Sequence, residues 1–176
     1  MKKYYLLLIT LIFNIIVHPV AFSEEAKYQT QPPHEALKHF VELEGEWIGT
    51  HINHNGKNEI VDLVYRTVSG GTAVEERIFA DTPQEIVTMY HGSENGGLLM
   101  THYCMLGNQP RLQLEITDGK AFDFQFLDGA GIDRKKTGHM GGMKMTILDE
   151  NTFEQVWAYF EEGEVKNTSK FTFTRK

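Results

Sequence analysis

Hydrophobic and polar residues alternate along most of the chain after residue 45, in short runs that turn residues separate. Successive side chains of a β-strand point to opposite faces, so this alternation predicts strands with one buried face. The pattern predicts ten strands: Glu46–Asn53, Asn58–Val68, Thr72–Phe79, Glu85–His91, Leu98–Met105, Arg111–Thr117, Ala121–Leu127, His139–Leu148, Thr152–Phe160 and Val165–Thr174.

Turn residues such as Asn55-Gly56 and Asp118-Gly119 lie between the predicted strands, as is typical of strands joined by hairpins. An up-and-down barrel and a sandwich both satisfy this pattern, but closure into a barrel removes the unpaired edge strands. We therefore expect an all-β, about ten-stranded antiparallel up-and-down barrel. The longest connection, Gly129–Gly138, is expected to cover or flank one mouth.

A short helical pattern precedes the strands. Pro33 suits a position at or just before the first helical residue, and Gly45 suits the end of the helix. Leu37, Phe40 and Val41 fall on one helical face, which predicts one short N-terminal helix of two to three turns. The barrel domain is therefore expected to occupy residues 34–176.

The first residues have the pattern of a secretory signal peptide. Lys2-Lys3 precede an apolar run over Tyr4–Val17, and the small residues Ala21 and Ser23 follow. This predicts a signal peptide over residues 1–23 and a polar lead-in over residues 24–33. The apolar run is shorter than the ~20 residues of a membrane-spanning helix, so we expect no stable membrane insertion after cleavage. The mature protein is predicted to be periplasmic or secreted.

The chain is acidic, with 17 Lys and Arg against 24 Asp and Glu and a formal net charge of −7. Loss of Lys2 and Lys3 with the signal peptide would change this charge to −9. An acidic chain without a basic stripe argues against nucleic acid as a partner. The expected partner is a small apolar or amphipathic molecule, bound by a monomer or homodimer.

Ten strands are expected to enclose more space than side chains fill. The interior of an eight-stranded barrel is just filled or holds one small ligand, and the diameter grows with strand number. The predicted inward faces are apolar and comprise Phe122, Phe124, Phe126, Met143, Met145, Ile147, Phe171 and Phe173. Some of these residues would form a core, while the others would line a cavity for a largely apolar ligand.

The hairpin around His102 and Cys104 carries the candidate chemistry. These two residues lie two apart on one face of a predicted strand, and Cys104 is the single cysteine of the chain. They are interpreted as packed residues of the cavity wall, as a metal or haem site completed by His139, or as an enzyme's thiol–imidazole pair. Side chains two apart on a strand stand parallel, which is a poor arrangement for a nucleophile and its base. We therefore expect binding without catalysis and without a resident cofactor, and the alternatives stay open.

The predicted ligand-binding residues combine apolar walls with a few polar contacts. Tyr90, Tyr103 and Gln155 would orient a ligand, and Arg111 would hold a carboxylate at the mouth. The full set is Tyr90, His102, Cys104, Arg111, Phe124, His139, Met143 and Trp157.

The two ends of the barrel domain carry a known pattern. The segment His34–Thr50 contains Gly45-x-Trp47 at the start of the first strand, and Arg175 is the penultimate residue of the sequence. This arrangement resembles a bacterial lipocalin-like family of unknown function within the calycin superfamily. The resemblance implies a barrel for a small apolar ligand, in which Arg175 packs over Trp47 and joins the first strand to the last. In the nitrobindin-like branch a late-strand histidine binds haem, but Val165–Lys176 contains no histidine.

Overall fold

A computed structural model of the chain describes residues 34–52 and 57–176, so the predicted signal peptide and lead-in lie outside the described residues. One helix, α1, spans Leu37–Val41. The ten strands that follow are β1 (Gly45–Ile52), β2 (Asn58–Val68), β3 (Ala73–Ile78), β4 (Ile86–Gly92), β5 (Leu98–Tyr103), β6 (Pro110–Thr117), β7 (Ala121–Gly129), β8 (His139–Asp149), β9 (Thr152–Glu161) and β10 (Glu164–Arg175).

Each strand pairs antiparallel with its neighbours in sequence, and β1 pairs with both β2 and β10. The sheet is therefore a closed barrel, and the prediction of a ten-stranded up-and-down barrel is confirmed. Alternation fixes the strand faces: in β2, Val61, Leu63 and Tyr65 are buried while Ile60 and Asp62 face outward.

The helix closes one end of the barrel. Leu37 and Phe40 are buried, and the Phe40 ring stacks on Tyr90 with 4.3 Å between ring centroids. The helix has only five residues, fewer than the predicted two to three turns, because the chain turns into β1 at Gly45. No helix in the described ranges is long and apolar enough to cross a membrane.

The contact between the first and last strands joins Trp47 to Arg175. These residues are paired in the β1–β10 ladder, and the guanidinium carbon of Arg175 lies 4.2 Å from the centroid of the Trp47 ring. Arg175 also donates hydrogen bonds of 3.0 Å to the carbonyl oxygens of Glu42 and Glu44. Gly45 has φ +130°, and a Cβ there would lie 3.2 Å from Nη1 of Arg175. The chain between α1 and β1 is thereby tied to the C-terminal strand.

Aromatic side chains fill the half of the barrel nearest the helix. Phe153 lies between Trp47 and Phe173, with ring-centroid distances of 4.7 and 5.2 Å. Gly49 leaves room for the Phe173 ring, which a Cβ at this position would overlap. The interior of the barrel is therefore packed with side chains at this end.

Candidate ligand-binding site

A cavity of about 990 Å³ lies at the end of the barrel opposite α1. Its walls come from the ends of β1, β2, β8, β9 and β10, from the β3–β4 connection with its flanking strands, and from the end of β5 with the residues that follow it. The lining residues are His51, Glu59, Ile60, Ile78, Phe79, Thr82, Gln84, Ile86, His102, Cys104, Met105, Leu106, Met140, Trp157, Tyr159, Ser169 and Phe171. Ten of these seventeen are aliphatic, methionine or aromatic residues, so the surface offered to a ligand is largely apolar.

Apolar side chains also form part of the rim. Met105, which lines the cavity at its mouth, is 72% exposed although it is a large hydrophobic residue. Exposed apolar side chains that border a cavity are typical of a ligand-binding groove. An apolar molecule could therefore contact hydrophobic surface before it enters the barrel.

His102 and Trp157 form the inner part of the site. Their rings lie 4.4 Å apart between centroids, and both side chains are almost fully buried. Nδ1 of His102 lies 3.0 Å from the hydroxyl oxygen of Thr88, which faces it across the β4–β5 ladder. The second ring nitrogen, Nε2, has no hydrogen-bond partner within residues 34–52 and 57–176. It is the ring nitrogen that remains for a ligand.

A buried carboxyl group lies behind this inner surface. Glu76 on β3 is fully buried and accepts hydrogen bonds from the hydroxyl groups of Tyr65 and Tyr90, the latter at 2.9 Å. The Nε2 amide of Gln155 donates to the same Glu76 oxygen at 2.7 Å. Oε1 of Gln155 in turn accepts a hydrogen bond of 3.1 Å from the indole N–H of Trp157. The network thus runs from the closed core to the cavity.

The alternation of β3 places Glu76 inside. Val74 and Ile78, two residues away on either side, are buried in the core, so Glu76 must share their face. Across the β3–β4 ladder it is paired with Thr88, the residue that contacts His102. Two successive cross-strand pairs, Glu76 with Thr88 and Thr88 with His102, therefore connect the buried carboxyl group to the histidine of the cavity.

Burial sets the protonation of these groups. It lowers the pKa of His102 to about 4, so the imidazole is neutral at physiological pH. Burial raises the pKa of Glu76, against the opposing effect of hydrogen bonds from Tyr65, Gln155 and Tyr90. Burial together with the neighbouring carboxyl group raises the pKa of Tyr65 and Tyr90, which therefore remain hydrogen-bond donors.

A second histidine lies near the mouth. The ring of His51 stacks on Phe171 at 4.3 Å between centroids, and its Nδ1 is 3.9 Å from a carboxylate oxygen of Glu59. Burial lowers the pKa of His51, and the charge of Glu59 acts in the opposite direction. His51 was not among the predicted site residues.

The structure places three of the eight predicted ligand-binding residues in the cavity lining: His102, Cys104 and Trp157. Cys104 follows the end of β5 and is half-buried, and burial raises the pKa of its thiol. Tyr90 and Phe124 instead pack against Phe40 at the closed end.

The other three predicted residues also lie away from the cavity lining. Arg111 is exposed and paired with Asp128 on the neighbouring strand. His139 is buried against the rings of Phe126 and Phe160, with Nδ1 2.7 Å from the carbonyl oxygen of Thr137. Met143 is buried in the core on β8. Since His139 contacts neither His102 nor Cys104, it does not complete a site with them.

No group of three or more His, Cys, Asp or Glu side chains in the described ranges is placed to hold a metal ion. The predicted pair His102–Cys104 therefore gains no third ligand from this part of the chain.

Sequence reasoning also missed Glu76, Tyr65 and Thr88, which form the polar network and its link to His102. A signal for Glu76 was present, since a carboxylate between Val74 and Ile78 interrupts an apolar face. Its hydrogen-bond partners come from β2, β4 and β9, and only the closed sheet brings them together.

No family model matches the chain, and no curated protein matches it. Among solved structures, a protein of unknown function from the DUF3598 family of Nostoc punctiforme is similar, with a TM-score of 0.50 and 12% identity. The match covers 78% of this chain and 49% of that one, so this chain spans about half the length of the Nostoc protein. A redesigned β-barrel matches 84% of this chain and 99% of its own, with 11% identity and a TM-score of 0.37. At such identities the likeness to the Nostoc protein concerns the fold alone.

Proposed function

We propose that this protein binds a small, largely apolar molecule non-covalently in the open end of its barrel, as a lipocalin-like carrier would. The observation that carries the proposal is the cavity of about 990 Å³ with apolar walls and a buried polar network beneath it. Small-molecule sites are typically concave, about 300–1,000 Å³ in volume and mostly apolar, with a few polar groups that orient the ligand. His102, with one ring nitrogen unpaired within the described part of the chain, is such a group.

The surroundings of Cys104 and His102 favour binding over catalysis. Burial raises the pKa of its thiol, which keeps it protonated, whereas a nucleophilic cysteine requires a thiolate. His102 is held by Thr88 and Trp157 rather than by the thiol. We therefore assign no catalytic residue.

Binding can be tested with Nile red, an uncharged probe whose fluorescence rises in apolar surroundings. Ser169 on β10 lines the cavity and is paired with Trp157 across the β9–β10 ladder. The substitution Ser169→Phe should therefore fill part of the space. Thr168 is the next residue on the same strand and is exposed on the outer face, which makes Thr168→Phe a matched control. We expect binding by the native protein and the Thr168→Phe variant, and about tenfold weaker binding by Ser169→Phe, equivalent to ~1.4 kcal/mol. Absence of probe binding, or equal affinity of both variants, would contradict the proposal.

We also propose that the protein acts in the periplasm or outside the cell. The support is the basic, apolar and small-residue pattern over residues 1–23, which lie outside the described residues. The mass of the protein recovered from a periplasmic extract or culture medium should correspond to a chain that begins near Glu24. Recovery of the full-length chain from the cytoplasm alone would count against this location.

A further inference from the structure

The charge of the cavity lining restricts the polar group that a ligand can carry. The lining within the described part of the chain contains no Lys, Arg or Asp, and Glu59 is its one acidic residue. The side chain of Glu59 is 46% exposed and lies beside His51 at the mouth. A charged ligand group that entered the barrel would thus lose water without gaining an opposite charge in the apolar interior.

The arginines of the neighbouring strands do not supply that charge. Arg77 on β3 is bound by Asp81 and Glu85, and Arg111 on β6 is bound by Asp128. Neither arginine is among the cavity-lining residues. Both positive charges are already neutralised by local carboxylates.

The inner end of the cavity is unfavourable for an anion for a second reason. Glu76, whose carboxyl group is buried, is paired across the β3–β4 ladder with Thr88, and Thr88 contacts His102. Any negative charge on Glu76 repels a carboxylate bound at His102, and the low polarity of the interior strengthens this repulsion. Glu76 is not a lining residue, so it also cannot pair directly with a ligand ammonium group.

His102 is nevertheless suited to an uncharged polar group. Its Nδ1 is occupied by Thr88, the indole N–H of Trp157 is occupied by Gln155, and Nε2 remains. A neutral imidazole presents at Nε2 either an N–H donor or an acceptor lone pair, depending on its tautomer. A hydroxyl group both donates and accepts, so it can bond Nε2 in either case.

We propose that the cavity selects amphipathic molecules whose polar group is uncharged, with long-chain alcohols as the model class, and discriminates against the corresponding carboxylates and ammonium compounds. This inference rests on the proposed function, since it concerns the same cavity. The polar group contacts His102, while the hydrocarbon chain lies along the apolar wall towards Met105. The selectivity arises because the described lining carries no positive charge and its one acidic residue, Glu59, lies at the mouth beside His51, rather than from a steric barrier.

The test compares three ligands that share one hydrocarbon chain: lauryl alcohol, laurate and laurylamine. Each ligand is titrated into the mature protein with bound Nile red at neutral pH, below the critical micelle concentration of that ligand, and displacement of the probe is measured. We expect the alcohol to displace the probe at a concentration at least about tenfold lower than either ion, since burial of an unpaired charge costs more than burial of a hydroxyl group. Equal or tighter binding of laurate or laurylamine would overturn the inference while leaving the proposed function intact. Failure of Nile red to bind would instead refute the proposed function itself.

A variant that supplies the missing charge provides an independent test. Ser169→Lys places an ammonium group on the cavity wall, whereas Thr168→Lys places it on the outer surface of the same strand. The affinity for laurate relative to lauryl alcohol should increase about tenfold in Ser169→Lys and remain unchanged in Thr168→Lys. An unchanged preference in a folded Ser169→Lys variant, or an equal gain in both variants, would overturn the inference. The comparison of the three ligands on the native protein does not depend on this variant.

Discussion

His102 is a histidine that the fold keeps neutral inside the barrel. Its folded-state pKa of about 4 lies below the ordinary histidine value of 6.5, so between these values the unfolded chain binds more protons than the folded one. The stabilisation is complete above about pH 6.5 and is lost as the pH falls towards 4. At about 1.4 kcal/mol per pKa unit, this loss amounts to roughly 3 kcal/mol.

The substitution His102→Gln should remove this pH dependence. Glutamine stays neutral and can still bond the Thr88 hydroxyl group, so the free energy of unfolding should fall less steeply between pH 6.5 and 4 than in the native protein. Urea denaturation across that range measures the difference. Thr101→Gln, on the opposite face of the same strand, controls for the effect of a glutamine on β5. A pH dependence of His102→Gln equal to that of the native protein would show that His102 does not contribute.

Gly49 is a second residue whose role depends on close packing. A Cβ at this position would overlap the Phe173 ring, which is itself fully buried against Phe153. We expect Gly49→Ala to reduce the free energy of unfolding by ~1–3 kcal/mol, the usual cost of overpacking a core. Chemical denaturation should show this loss, while Ile48→Ala on the outer face should change stability much less. A neutral effect of Gly49→Ala would mean that Phe173 has room to move.

Individual residues of the site were less predictable than the face on which they lie. Alternation predicts that His102 and Met100 share one face of their strand, and the structure shows that this face is buried. It does not predict how deep in the barrel an inward residue lies. Tyr90 packs against Phe40 at the closed end, whereas Trp157 lines the cavity. Depth depends on the position of α1 and on the stagger of the strands, which are properties of the closed sheet.

At the scale of elements, the junction of β1 with β10 closes the barrel. Arg175 contributes a ring contact to Trp47 and two hydrogen bonds to carbonyl oxygens of the preceding loop. The indole N–H of Trp47 donates a further bond of 2.8 Å to the carbonyl oxygen of Leu43. These contacts connect the helix, the first strand and the last strand at one point.

The substitution Arg175→Gln should therefore destabilise the barrel by ~1–3 kcal/mol, the combined effect of a cation–π contact and net hydrogen bonds. Thermal and urea unfolding both measure it. Arg111→Gln is the matched control, because it removes a partly exposed ion pair with Asp128 that contributes at most ~1 kcal/mol. Equal losses in the two variants would show that the contact with Trp47 has no special role.

The elements themselves could be predicted closely from sequence. Every predicted strand overlaps an observed one, and the bounds of β2, Asn58–Val68, agree at both ends. The helix was predicted too long because helical periodicity continues to Glu44, although the turn into Gly45 begins earlier. In that turn the carbonyl oxygens of Glu42 and Glu44 accept hydrogen bonds from Arg175, a tertiary contact that sequence periodicity does not report.

At the scale of the whole molecule, the two ends of the barrel have different contents. The closed end holds α1 and a packed aromatic cluster, while the open end holds the cavity and its apolar rim. The polar network of Glu76 lies between them. Stability and ligand binding should therefore be separable by substitutions at opposite ends.

Phe40→Ala tests this separation. Phe40 is fully buried in the closed end, where its ring contacts Tyr90, Phe122 and Phe124, and it is absent from the cavity lining. Its truncation should reduce the free energy of unfolding by ~3–5 kcal/mol, the usual cost of replacing a buried phenylalanine by alanine. Nile red affinity, measured where the variant is still folded, should remain within about twofold of the native value, because no wall of the cavity changes. Ser169→Phe should give the reverse result, with weaker probe binding and little loss of stability. A Phe40→Ala variant that loses probe affinity while folded would show that the helix end and the cavity are coupled. The hydrogen bond from Tyr90 to Glu76 would then be one connection between them.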